Sequence, residues 1–200
     1  MRHLLKIVSL ASAALGLSLG GALAGPLVIA NTNFPAVNCV YETDCIIHVG
    51  ADSHGNFTPP QDAGTGLLQS RTFHGVAPAP AGGKGGYMYR IDMTAVKGIV
   101  NENCVTKIDL ALGTLVKEPY PPGAGLKDMF FASTGGVGSV GIASASQSGA
   151  KVTVVFASGG VCPGQSSFFF GFTSAITVPV TGVAMVYFNQ GQQGVDDRQP

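Results

Sequence analysis

Four residues in the first half of the chain carry side chains suited to metal chemistry: His48, Asp52, His54 and His74. Two histidines six apart with a carboxylate between them could hold zinc or copper if the segment folds back on itself. Asp52-Ser-His-Gly-Asn56 also places a glycine where a tight cation-binding turn wants one, but a single carboxylate suits calcium poorly. Three ligands at fixed spacing are not evident. The simpler expectation is a polar turn held by Asp and Asn side chains bonding nearby amides. No metal and no other cofactor is predicted.

Other motifs point to chemistry by their letters and away from it by their setting. Gly136-Val-Gly138-Ser-Val-Gly141 matches the dinucleotide fingerprint, which works only when a strand enters it and a helix leaves it. The stretch that follows is rich in Ser and Ala and meets Gly149 before three turns could form, so a glycine-punctuated hairpin arm is expected instead. Gly-x-Ser-x-Gly is absent, and Asp92 and Asp109 read as outward strand residues rather than a glycosidase pair, so no catalytic residue is assigned. Sugars stack on flat aromatic faces, of which tryptophan is the largest, and the chain has none. Tyr120, in Lys117-Glu-Pro-Tyr-Pro-Pro122, is the best substitute as a ligand-loop aromatic. Its plainer role is a loop tyrosine covering a sheet end.

The compartment is written at the start of the chain. Arg2 and Lys6 precede an uncharged apolar run over 7–19, and Ala22-Leu23-Ala24 has the form that signal peptidase reads. Residues 1–24 are therefore expected to be a secretory leader of bacterial type, with the mature chain secreted or periplasmic. The apolar run is shorter than the roughly 20 residues a membrane span needs, and no later segment supplies one. Arg2 and Lys6 leave with the leader, so nine Lys/Arg stand against 11 Asp/Glu, a net charge of −2. So few, scattered cations exclude a binder of nucleic-acid backbones.

Cys39, Cys45, Cys104 and Cys162 make an even count in an exported chain, which favours disulfides over zinc, there being no Cys-x-x-Cys pair. Three connectivities are possible; a local clip, Cys39–Cys45, with a long staple, Cys104–Cys162, is the favoured one. Loop-closure entropy gives about 2 kcal/mol for the clip and about 4 kcal/mol for the staple, less any native strain.

The elements that must position these residues are strands. Tyr87, Tyr89, Ile91 and Met93 alternate with Met88, Arg90 and Asp92, and the same period of two returns over 104–112. If these two strands pair, Arg90 and Asp92 would face Asp109 and Lys107. Further strands are expected at 45–49, 67–75, 128–133, 138–144, 151–157, 167–173, 175–181 and 183–189, separated mostly by Gly- and Ser-rich turns about ten residues apart. Helix is limited to one short turn over 94–100. This pattern predicts an all-β fold, an antiparallel β-sandwich of Greek-key or jelly-roll type with long Pro/Gly loops. One domain spans 25–190, loop-rich over 25–65, and 191–200 is expected to be a disordered polar tail.

Leu68-Gln-Ser-Arg-Thr-Phe73, Gly86-Tyr-Met-Tyr-Arg-Ile-Asp92 with Cys104-Val-Thr, and Val161-Cys-Pro-Gly-Gln-Ser-Ser-Phe-Phe-Phe-Gly-Phe-Thr-Ser174 are similar to blocks in a group of uncharacterised secreted bacterial proteins. The resemblance covers residues 66–175 and implies that Cys104 and Cys162 belong to one framework. It brings no activity with it. The function expected is binding or structural, at the cell surface, envelope or extracellular matrix, with a protein or glycan as partner. The alternatives are a hydrolase or metal-dependent enzyme using the His48/His54 region, and a carbohydrate-binding module.

Overall fold

Strands of alternating polarity bury one face each, and two sheets of them meeting face to face bury both. The computed structural model describes residues 24–98 and 103–199; the expected leader, up to its last residue, lies outside the described residues. In chain order the elements are β1 (Gly25–Pro26), β2 (Ile29–Asn33), α1 (Phe34–Tyr41), β3 (Ala51–Phe57), β4 (Gly66–His74), β5 (Gly85–Asp92), β6 (Val105–Ala111) and β7 (Leu115–Val116). They continue with β8 (Glu118–Pro119), β9 (Leu126–Lys127), β10 (Met129–Thr134), β11 (Ile142–Ser148), β12 (Lys151–Phe156), β13 (Phe170–Ser174), β14 (Val180–Phe188) and β15 (Gln192–Gln199).

Sheet I runs β1-β11-β12-β6-β14-β15 and sheet II runs β2-β10-β13-β5-β4-β3, with β7 also on β13. Every pairing is antiparallel except β2 with β10. The all-β sandwich is therefore the observed architecture. Tyr87, Tyr89, Ile91, Phe170 and Phe172 of sheet II meet Ile108, Leu110, Val152, Val154 and Val186 of sheet I in the core between the sheets. A second core covers part of the outer face of sheet II: Val37, Val40 and Tyr41 of α1 pack there on Phe73, Met88, Phe130 and Phe169.

Several expectations are corrected. β5 and β6 do not pair; they lie in different sheets, because the chain crosses between layers after β5. Arg90 instead meets Asp92 on its own strand at 2.9 Å, and Asp109 bonds Thr153, Tyr187 and Lys151. The stretch 25–65 holds β1, β2, β3 and the helix α1, whose start is set by Asn33, its side chain accepting from the Ala36 N–H at 2.9 Å, with Pro35 just inside. No strand forms at 45–49; β3 begins at Ala51, so the expected polar turn around Asp52 and His54 is extended instead. Residues 175–179 form a loop, and β11 starts at Ile142, later than expected. The expected helical turn over 94–100 is a plain turn at Thr94 and Ala95, its last two residues lying outside the described residues.

The tail is the largest correction. Residues 192–199 form β15, laddered to β14 from Val180↔Gln199 to Tyr187↔Gln192. β15 also closes the side of the sandwich next to β3: the Thr58 N–H donates to Gln193 Oε1 at 3.1 Å, and a Cβ on Gly55 would lie 2.2 Å from the Asp196 carbonyl. Both favoured disulfides are present. Cys39–Cys45 ties the last turn of α1 to the loop after it, and Cys104–Cys162 ties the start of β6 to the crossover leading to β13.

Candidate functional site

Cross-strand partners in an antiparallel ladder share a face. On the outer face of sheet II the register therefore builds two rows. His54, Gln69 and Arg90 lie abreast on β3, β4 and β5, and Asp52, Arg71 and Met88 lie abreast beside them. Phe169, just before β13, and Phe34, the first residue of α1, meet edge to face at 5.6 Å beside these rows. The loop Gly135-Gly136-Val137 after β10 completes the wall of a cleft of about 410 Å³. Gly136 leaves room there for the Phe34 ring, which a Cβ would meet at 2.4 Å.

The polar groups of the cleft hold one another in place. Gln69 Nε2 donates to both oxygens of Asp52 at 3.0 Å, and its Oε1 accepts from Arg90 Nε at 3.2 Å. Arg71 Nε donates to Asp52 Oδ2 at 2.9 Å. Arg90 Nη2 lies 2.9 Å from Asp92 Oδ2, while Asp92 Oδ1 accepts from the Thr94 N–H and hydroxyl at 3.0 and 2.6 Å. Burial pushes the Asp92 carboxyl up, but the bonds from Thr94 and the Arg90 charge outweigh it and hold it below the usual carboxylate range. Both guanidinium groups sit over the single ring of Phe169, 4.9 and 5.3 Å from its centroid.

The metal-ligand candidates do not converge. His48 is exposed in the loop before β3, and His74 is exposed at the end of β4. Only His54 and Asp52 approach each other, at 3.8 Å, beyond hydrogen-bond length. Among the described residues no group of three His, Cys, Asp or Glu side chains is placed to hold an ion. Ser53 points to the opposite face from His54 and bonds Ser70 at 2.8 Å. His54 also borders a smaller cavity of about 170 Å³, lined further by Ser53, Thr181, Asp196 and Asp197.

Tyr120 is corrected as a ligand aromatic. It is 2 % exposed, and its hydroxyl bonds Thr173 at 2.7 Å and Tyr41 at 3.2 Å, with Tyr41 bonding Thr173 at 2.8 Å. This hydroxyl triad pins α1 to β13, and burial raises the Tyr120 hydroxyl well above its ordinary range. The plainer reading, a tyrosine covering the sheet, describes it. The Gly136–Gly141 motif is a crossover from β10 in sheet II to β11 in sheet I, not a hairpin arm, and a strand leaves it. Gly138 has φ +114° and abuts the Ser167 carbonyl, a close approach of backbone that only glycine permits.

A smaller depression of about 320 Å³ on sheet I is lined by Asp109, Lys151, Val183, Met185 and Tyr187. Its one carboxylate is spent on Thr153, Tyr187 and Lys151. Burial pushes Asp109 up, but these bonds hold it below the usual range. The cleft on sheet II, larger and lined by more polar groups and by two aromatic rings, is the stronger site.

The cleft residues Gln69, Arg71, Arg90 and Phe169 were not singled out from sequence. A signal existed: Gln69 and Arg71 are the polar alternates of a strand whose end, Phe73, is apolar on the same face. No family model matches the chain, and no curated protein or solved structure matches it either. No helix among the described residues is long and apolar enough to cross a membrane.

Proposed function

We propose that the chain is an exported, disulfide-stapled binding module, secreted or periplasmic, that takes its ligand in the cleft on the outer face of sheet II. One observation carries this reading: two arginines, fixed by Gln69, Asp52 and Asp92 and both lying over one Phe169 ring, line a concave site of about 410 Å³. Residues held this tightly by partners lose little conformational freedom on binding, which is what a recognition site requires. A passive structural protein has no use for such a constellation.

Two further observations support it. The blocks that resemble secreted bacterial proteins supply Gln69, Arg71, Arg90 and Phe169, so three separate stretches of chain meet at the cleft. The pair of disulfides suits the oxidising compartment to which the leader directs the chain.

The test is a binding panel of glycans and peptides against the mature protein, repeated with Arg71→Gln and Arg90→Gln. Glutamine keeps a long polar side chain at both positions, and circular dichroism verifies that each variant retains the fold. At least one ligand class should bind the parent and lose tenfold or more in both variants. Ligands that bind parent and variants equally would place recognition elsewhere on the molecule.

A further inference from the structure

Granted that the cleft is the ligand site, we infer that its ligand is an acidic glycan, engaged through the carboxylate of a uronate residue. The geometry points there through a census of hydrogen-bonding groups. Among the described residues the side-chain oxygens that brace the two arginines already have donors: Asp52 takes Gln69 and Arg71, Asp92 takes Thr94 and Arg90, and Gln69 Oε1 takes Arg90 Nε. On the two arginines the groups without a protein partner among the described residues are Nη1 and Nη2 of Arg71 and Nη1 of Arg90, all of them donors. Each guanidinium carbon lies over the Phe169 ring, 4.9 and 5.3 Å from its centroid, a contact that uses none of the N–H groups as hydrogen-bond donors. A ligand that satisfies these N–H groups must bring acceptors, and a carboxylate matches the Nη1/Nη2 fork of Arg71 with two parallel bonds.

Charge narrows the class. Arg71 and Arg90 are each in contact with a carboxylate, so the cleft has no surplus of positive charge. A phosphate dianion would face Asp52 and Asp92 with two negative charges, whereas a uronate brings one. The setting favours a sugar over a peptide. A peptide chain binds a sheet most readily by adding a strand at an edge, and the edge nearest the cleft, β3, is flanked by β15. The half-buried Phe34 ring and exposed Val137 offer an apolar wall for the C–H face of a pyranose.

Isothermal titration of the mature protein with a galacturonate trisaccharide tests the inference, beside its methyl ester, inorganic phosphate and an acidic peptide. Expected is measurable binding of the free acid, at least tenfold weaker binding of the methyl ester, and weakening as salt is raised. Arg71→Lys, which keeps the charge and loses the free Nη1/Nη2 fork, should cost tenfold or more. Equal affinity for acid and methyl ester overturns the carboxylate, and preference for phosphate or peptide overturns the glycan. If no probe binds, the acidic-glycan inference falls, while neutral panel ligands lost in Arg71→Gln and Arg90→Gln would keep the cleft as the binding site.

Discussion

Asp197 is the residue most at odds with its surroundings. It is 2 % exposed, its Oδ1 accepts from Gln199 Nε2 at 2.8 Å, and its Oδ2 has no hydrogen-bond partner among the described residues. Burial pushes its carboxyl up to about 6; the Gln199 bond lowers it in part, and neighbouring Asp196 raises it further. A raised folded value means the native state holds the proton after the unfolded chain has released it. Stability from this group is complete below about pH 4, falls as pH rises toward 6, and is level above that, a difference of at most about 3 kcal/mol. Asp92 and Asp109, held low, act in the other direction and only as pH falls below the ordinary carboxylate range. Denaturant titrations from pH 4 to 7 should therefore show declining stability in the parent. Asp197→Asn, which keeps the Gln199 bond, should flatten the decline and be the more stable protein at pH 7. A parent whose stability rises over this range would contradict the assignment. At this scale the sequence was partly readable. Arg90 and Asp92 were placed together on a polar strand face, but which strand would face them was not, because a strand's alternation names its faces and not its neighbours.

At the scale of elements, β15 shows what a hydrophobic pattern cannot report. Gln192-Gln-Gly-Val-Asp-Asp-Arg-Gln199 has one apolar residue, so no alternation can mark it as a strand, and its composition reads as a tail. It is held by its ladder to β14 and by close approach to β3, where Gly55 leaves room for the Asp196 carbonyl and the Val195 side chain. Helix α1 escaped for a related reason: eight residues are too few for a period to declare itself, although Asn33 and Pro35 together are a start signal. Gly55→Ala is the direct test of the seam. Its Cβ would meet backbone at 2.2 Å, which a side-chain rotation cannot relieve, so β15 must move. The expected loss is about 1–3 kcal/mol, the usual range for overpacking, with faster amide exchange across 193–199 than across β5. Unchanged exchange in β15 would mean that the seam is looser than the contact implies.

For the whole molecule, the sandwich was legible because glycine-rich turns recur about every ten residues and no long helical period competes with them. The order of strands was not legible, since the chain crosses between sheets after β1, β5, β6, β10, β12 and β13 and local sequence says nothing about which layer receives the next strand. The staple sits on one of these crossovers. Cys162 lies between β12 of sheet I and β13 of sheet II, and its bond to Cys104 anchors that crossover beside β6, next to the Val105↔Val161 bridge. Cys39–Cys45, by contrast, closes only the end of α1. Closing a loop over a separation of 58 residues removes more freedom from the unfolded chain than one over 6, about 4 against about 2 kcal/mol. Replacing Cys104 and Cys162 together by serine should thus lower unfolding stability about twice as much as replacing Cys39 and Cys45, as read from denaturant midpoints at equal slope. The cleft depends on both bonds unequally. Phe34 belongs to the clipped helix, while Phe169 leads out of the stapled crossover and carries both guanidinium groups. Loss of the staple should therefore weaken ligand binding at temperatures where the protein is still folded, and loss of the clip should weaken it less. Equal effects of the two double variants on both stability and binding would show that the covalent framework does not act through the crossover.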